Sequence, residues 1–184
     1  MTIVKTCGKL YWAGEYAILE PGQLALIKAI PIYMMAKIKA SDDYRLYSDM
    51  FTYSVDMRPD SSYALIQETV ALVEEYLTAQ GVELQPFSLD IRGKMEREGK
   101  KFGLGSSGSV VVLVIKAMLA FYERPAERDL LFKLASAVLL KRGDNGSMGD
   151  IACIVSEDLV LYQSFDREKV ADWLEKEDLQ AVLA

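Results

Sequence analysis

Between Lys100 and Val114 the chain reads Lys-Lys-Phe-Gly-Leu-Gly-Ser-Ser-Gly-Ser and then Val-Val-Val-Leu-Val. Three glycines and three serines take six of the seven positions from Gly103 to Ser109, and an unbroken apolar run follows at once. Apolar residues on nearly every side of a helix mean that it is buried in the middle of its domain. A helix from about Ser106 to Tyr122 therefore sits at the centre of the fold. Small residues in the turn before it let the backbone approach a ligand closely. The first N–H groups of the helix and the positive end of its dipole would then face that ligand, which favours an anion. Lys100 and Lys101 stand directly before the turn. The stretch predicts a phosphate cradle, although no Gly-Lys-Ser/Thr closes it as in a Walker loop. Turns of this kind also open helices that bind nothing, so the decision rests with the rest of the chain.

The 184 residues suit one domain. With 51% hydrophobic and 26% charged residues, the chain can bury an ordinary core. A net charge of -6 opposes broad binding to nucleic acid or to an anionic membrane. Charge is unevenly placed, however. Arg92, Lys94, Arg97, Lys100 and Lys101 against Glu96 and Glu98 leave a local excess of three positives just before the glycine turn. A solvated hairpin face explains such a run equally well, but its position favours an anionic ligand.

Cys7 and Cys153 have no paired spacing, so each should pack as a small apolar residue. The chain has no histidine, which excludes Ser-His-Asp and Cys-His catalysis within it. No signal-peptide pattern opens the sequence, and Val110 to Ile115 is far too short to span a bilayer. A soluble cytoplasmic protein is expected.

Taken in order, Ile3 to Tyr11 alternates as a strand that Gly8-Lys9 interrupts. Glu20-Pro21-Gly22 marks a turn, and Leu24–Ile30 and Ile32–Ala40 are apolar runs split by Pro31, which should border a strand. Tyr44–Ser48 and Phe51–Met57 are further strands, so the first sixty residues read as a sheet. Ser61 or Ser62 should cap a first helix ended by Gly81, with Leu65, Ile66, Thr69, Val70, Val73, Tyr76 and Leu77 at helical spacing. Phe87–Ile91 alternates again, and a strand leading into Lys101-Phe102 is its expected partner. Ala126–Lys141 is a third helix on Leu130, Leu131, Leu134, Val138 and Leu139. Leu159–Phe165 is a strand, and Asp166 caps a last polar helix with Val170, Trp173 and Leu174 inward.

Three stretches resemble one family in order and approximate spacing. Cys7-Gly8-Lys9-Leu10-Tyr11-Trp12-Ala13-Gly14-Glu15-Tyr16-Ala17 resembles the first motif of the galactokinase, homoserine, mevalonate and phosphomevalonate (GHMP) kinases. Gly103–Ser109 resembles their ATP phosphate loop, and Asn145–Ala152 the stretch that carries their catalytic aspartate. Within the family the chain is most similar to the bacterial phosphomevalonate kinases. The fold implied is α+β, a mostly antiparallel sheet with helices packed on it, of the GHMP kinase N-terminal domain type, with that family's left-handed βαβ crossover. Residues 1–184 would form the ATP-binding domain, the C-terminal GHMP domain being absent and expected to complete the site.

The activity implied is transfer of the γ-phosphoryl group of ATP, with Mg²⁺, to 5-phosphomevalonate in isoprenoid synthesis. By the same resemblance, Lys9 bridges acceptor and donor phosphates. Lys101, Gly103, Leu104, Gly105, Ser106, Ser107, Gly108 and Ser109 hold the nucleotide, Ser107 takes the metal, and Ser147 and Asp150 meet the acceptor, Asp150 as the catalytic acid/base or orienting carboxylate. Where mevalonate kinases place a Mg²⁺-holding glutamate, this chain has Leu139. Lys141 and Arg142 are either further phosphate partners or solvated cations suited to a helix C-terminus. A nucleotide-binding half without turnover, a kinase for another acceptor such as mevalonate, and a nucleic-acid-binding α+β domain are the other readings. The net charge opposes the last.

Overall fold

A computed structural model describes residues 1–93, 96–97, 100–101 and 105–183; of 96–97 and 100–101 it describes the backbone only. The sheet is built on one long strand. β2 (Leu24–Ala40) runs antiparallel to β1 (Thr2–Ala13) along most of its length. Its other side is shared, by β8 (Leu159–Gln163) over residues 24–28 and by β5 (Phe87–Arg92) over residues 35–40. Beyond β5 lie β3 (Arg45–Ser48) and β4 (Ser54–Val55), giving the order β1-β2-β5-β3-β4 with β8 beside β2. Only the β3–β5 pair is parallel, so the sheet is mixed and mostly antiparallel. The link between those two strands carries helix α1 (Ala64–Ala79).

Helix α2 (Ser106–Phe121) lies against β1 and β2, between α1 and α3 (Arg128–Lys141). Every residue from Gly108 to Leu119 except Lys116 is buried. Each fully buried Val, Leu or Ile there contributes roughly 1.5–3 kcal/mol, so this helix holds the two layers together. Lys116 escapes along the surface, where its Nζ donates to the Lys5 carbonyl and pairs with Glu157 at 2.7 Å. Helix α4 (Gly149–Ser156) packs against α2 and α3, and α5 (Arg167–Lys176) and α6 (Leu179–Leu183) close the far side of α3.

Several expectations need correction. Pro31 does not separate two strands, because β2 continues through it. Cys7 pairs with Tyr33 and Gly8 with Ile30, so Pro31 and Ile32 form a bulge, a place where a missing N–H costs no ladder bond. Phe51–Met57 yields only the two-residue β4, since Gln67 Nε2 donates to the carbonyls of Asp56 and Arg58 and holds that segment in a turn. Neither Ser61 nor Ser62 caps α1, whose N-cap position is Tyr63 and which has no side-chain cap. Asp60 instead closes the turn before the helix, its Oδ1 accepting from the N–H groups of Ser62 (2.9 Å) and Tyr63 (3.2 Å). Both edges of β5 are taken by β2 and β3, so Lys100–Lys101 (β7) pairs instead with Glu96–Arg97 (β6) in a separate two-stranded sheet.

The third helix starts at Arg128, not Ala126, and the last strand stops at Gln163. Asp166 caps α5 as expected by accepting from the Lys169 N–H. Leu174 is buried there, while Trp173 stays 45% exposed. Both cysteines are free and buried. Among the described residues no helix is long and apolar enough to cross a membrane.

Candidate active site

The bulge decides where Lys9 points. Before it, Val4 and Thr6 face the helices; after it the alternation has slipped by one, and Lys9 and Tyr11 face them while Leu10 and Trp12 are exposed. A one-residue slip in a strand moves a side chain to the opposite face. A lysine that reads as a solvated strand cation is thereby turned inward and left only 9% exposed.

It meets the start of α2. Gly105, the residue before that helix, has φ +80°, and a Cβ there would sit 3.0 and 3.1 Å from Lys9 Cγ and Cε. The left-handed backbone and the close lysine stem both call for glycine. One turn on, a Cβ on Gly108 would lie 2.8 Å from Asp150 Oδ2 and 3.0 Å from Ile151 Cδ1. The first turn of α2 is thus wedged between Lys9 on one side and Asp150 on the other. Ser109 is buried and locks the wedge to β1, its Oγ donating to the Cys7 carbonyl (2.9 Å) and its carbonyl accepting from Thr6 Oγ1 (3.2 Å).

Ser106 is half-buried and Ser107 exposed. No side chain caps this helix and no acidic residue stands in its first turn. Its leading N–H groups, which have no partner within the helix, keep their positive field.

The second wall is the N-terminus of α4. Met148 adopts φ +63° before the helix, and Ser147 Oγ accepts from the Gly149 N–H at 3.2 Å. The Ser147 carbonyl accepts from Tyr162 Oη at 2.7 Å, and its hydroxyl lies 3.1 Å from Tyr11 Oη. Asp150, in the first turn of α4, accepts from the Ile151 N–H at 2.9 Å. Burial holds the Asp150 carboxyl above the usual range, with the Ile151 N–H and the Lys9 ammonium pulling the other way and Asp144 adding to the rise. Lys9 Nζ also stands 4.7 Å from the centre of the Tyr11 ring.

Beside the first turn of α2 opens a cavity of about 240 Å³, with Ser106 and Ser107 at its lip and Met50, Phe51, Leu65 and Ile66 among its lining. Phosphate-seeking groups and an apolar pocket therefore adjoin.

The structure thus brings together Lys9, Gly105, Ser106, Ser107, Gly108, Ser109, Ser147 and Asp150. Gly103 and Leu104 lie outside the described residues, as does the side chain of Lys101. The spacing Gly103-x-Gly105-x-x-Gly108 is that of a dinucleotide fingerprint. It follows the two-residue β7, outside the main sheet, and so does not open a βαβ unit of that sheet.

Lys141 and Arg142 are spent elsewhere, in ion pairs with Glu75 (3.7 Å) and Glu68 of α1. Arg92 binds Asp90 and covers the Tyr47 ring, away from the turn. Leu139 is in the core. Sequence reasoning passed over Tyr11 and Tyr162, which hold Ser147. Tyr11 lies two residues from Lys9, but only the bulge puts both on the helix side.

Comparison with known proteins identifies the fold and the family. The profile described as GHMP kinases N terminal domain matches residues 64–158. The phosphomevalonate kinase of Streptomyces sp. (strain CL190) is 30% identical over 93% of this chain and 52% of its own length. The Streptococcus pneumoniae phosphomevalonate kinase structure superposes with a TM-score of 0.98 at 73% identity, over all of this chain and 56% of that one. The Methanococcus jannaschii mevalonate kinase, at 20% identity and TM-score 0.74 over 94% of this chain and 57% of that one, shares the fold. The chain spans about half the length of these relatives. On the profile match and the fold together, the chain belongs to the GHMP kinase family.

Proposed function

We propose that residues 1–184 are the nucleotide-binding domain of a cytoplasmic kinase that moves the γ-phosphoryl group of ATP onto the phosphate of 5-phosphomevalonate, giving 5-diphosphomevalonate. A second half of the kind the longer relatives carry would complete the site. The observation that carries the reading is the uncapped N-terminus of α2, set between Lys9 at Gly105 and Asp150 at Gly108. The 73% identical S. pneumoniae enzyme, whose structure is a complex with phosphomevalonate and AMPPNP, supports the choice of substrates.

A phosphomonoester has its second pKa near about 6, so at neutral pH the acceptor is already mostly a dianion. It needs little help in losing a proton. What opposes reaction is the approach of that dianion to a triphosphate, and the remedy is fixed positive charge and positioning. Gly103–Ser109 and Lys101 hold the donor phosphates, and the apolar cavity beside Ser106 and Ser107 takes the base. Lys9 bridges the two anions. Ser147 contacts the acceptor, and Asp150 orients Lys9 instead of abstracting a proton.

Among the described residues no three His, Cys, Asp or Glu gather as a metal cluster, and Leu139 offers no oxygen. The exposed Ser107 hydroxyl fits a Mg²⁺ that arrives on the nucleotide and keeps most of its water. When bound, it neutralises phosphate charge.

Isothermal titration should show Mg-AMPPNP binding to the 184-residue chain. A coupled assay, run with and without the second half of the protein, should show turnover with phosphomevalonate and not with mevalonate or homoserine. Absent nucleotide binding, or a preference for mevalonate, would overturn the reading.

A further inference from the structure

Tyr11 reaches both the Lys9 ammonium and the Ser147 hydroxyl. The bulge puts it on the same face as Lys9, whose Nζ lies 4.7 Å from its ring centroid, while its hydroxyl reaches Ser147 Oγ at 3.1 Å. The Ser147 main chain is anchored separately, through Tyr162 Oη. Only the Ser147 hydroxyl depends on Tyr11. The fit at this point is close, since a Cβ on Gly149 would sit 2.8 Å from Tyr11 Oη.

We propose that Tyr11 is a positioning residue: its ring seats the Lys9 ammonium and its hydroxyl orients Ser147 Oγ, so that a strand cation and a turn hydroxyl face one phosphate group of the acceptor. The proposal rests on the phosphoryl-transfer reading and deepens it. A serine oxygen has two lone pairs and one hydrogen. Either hydroxyl can donate between Tyr11 and Ser147; with the Tyr11 O–H donating alongside the Gly149 N–H, the serine's own hydrogen is the one left for an anion. A phenol is protonated and able to donate at neutral pH, and burial raises Tyr11 further above its ordinary range. On the other wall, an ammonium over a partly desolvated aromatic face is favoured by about twofold to thirtyfold. A rotamer-rich lysine is thereby held in one arrangement before the anions arrive.

Lysines of the 184-residue chain, reductively ¹³C-dimethylated, report the two halves of this role separately. The Lys9 signal, identified by its loss in Lys9→Arg, should be shifted upfield by the Tyr11 ring. Tyr11→Phe should keep that shift and Tyr11→Leu should abolish it. Titrating phosphomevalonate, with inorganic phosphate as the bare anion, against the same signal should give a Kd about twofold to tenfold weaker in Tyr11→Phe, the worth of one neutral hydrogen bond. In the assembled enzyme that loss should fall on the acceptor KM, while Tyr11→Leu lowers kcat as well.

A Lys9 signal indifferent to Tyr11→Leu, or a Tyr11→Phe protein that binds phosphate as the parent does, would overturn the proposal. If phosphomevalonate neither binds nor turns over while the upfield shift obeys Tyr11, the substrate reading has failed and the seating of Lys9 has not.

Discussion

Replacing Gly108 with alanine should separate function from stability. In a helix interior, alanine is ordinarily favoured over glycine by roughly 0.5–1 kcal/mol. Here the new Cβ would stand 2.8 Å from Asp150 Oδ2, about 0.6 Å inside the closest ordinary contact of 3.4 Å, and 3.0 Å from Ile151 Cδ1. Both atoms are side-chain ends, so the clash is relieved by rotation. Its cost should lie at the low end of the roughly 1–3 kcal/mol seen for overpacking. The two effects nearly cancel, leaving a net change between about zero and 2 kcal/mol destabilising. For a domain of this size each kcal/mol moves Tm by about 2–4 °C, so calorimetry should show a fall of less than about 8 °C. The carboxylate, however, is pushed off its place beside the α2 N-terminus. A misplacement of about 1 Å costs on the order of a hundredfold in rate, and the coupled phosphomevalonate assay on the assembled enzyme should show a loss of tenfold to a hundredfold. A variant that gained several degrees and kept its turnover would refute the argument, because Gly108 would then not be what keeps Asp150 in place.

Lys9→Met and Asp150→Asn should each lower turnover by roughly a hundred- to a thousandfold, the range for one preorganised electrostatic contact. The double variant should be little worse than either alone, as steady-state kinetics would show; additive losses would mean the two side chains act separately. Asp150→Asn should also stabilise the fold at neutral pH. The folded-state pKa is raised, chiefly by burial, so stability present below the unfolded pKa of about 3.9 is lost as pH rises through the folded value. Urea melts should therefore show the gap between Asp150→Asn and the parent opening with rising pH and then levelling off; an unchanging gap would contradict the raised pKa. Asp60→Ala should cost about 1 kcal/mol by removing the side-chain hydrogen bonds that close the turn before α1, while Ser61→Ala and Ser62→Ala leave thermal melts nearly unmoved.

The α2 helix was legible because its apolar residues leave no polar face, and its start because three glycines and three serines precede them. Cap chemistry was less legible. Asp60, Ser61 and Ser62 are all good cap residues, yet none caps α1, because the turn that Gln67 fixes from seven residues later sets Asp60 on the N–H groups before the helix. Strand partners were less legible still, since the alternation of Phe87, Leu89 and Ile91 fixes a face and not a neighbour. Of the charge run before the glycine turn, Arg92 belongs to β5 and lies over the Tyr47 ring, a placement its alternation alone does not show.

The feature hardest to foresee is the one on which the site depends. Gly8-Lys9 and Pro31 each look like a break in a separate strand. They are two sides of one bulge, and neither side by itself predicts a slip in register. Without that slip Lys9 would point with Lys5 into solvent, and the α2 N-terminus would face a strand with no cation. With it, the lysine stem lies against Gly105 and the ammonium reaches the aromatic face of Tyr11. Burying a cation is costly unless charge or ring electrons surround it. Asp150 and Tyr11 meet that condition for the inward lysine, and so hold its charge beside the α2 N-terminus, where an incoming polyanion would meet it.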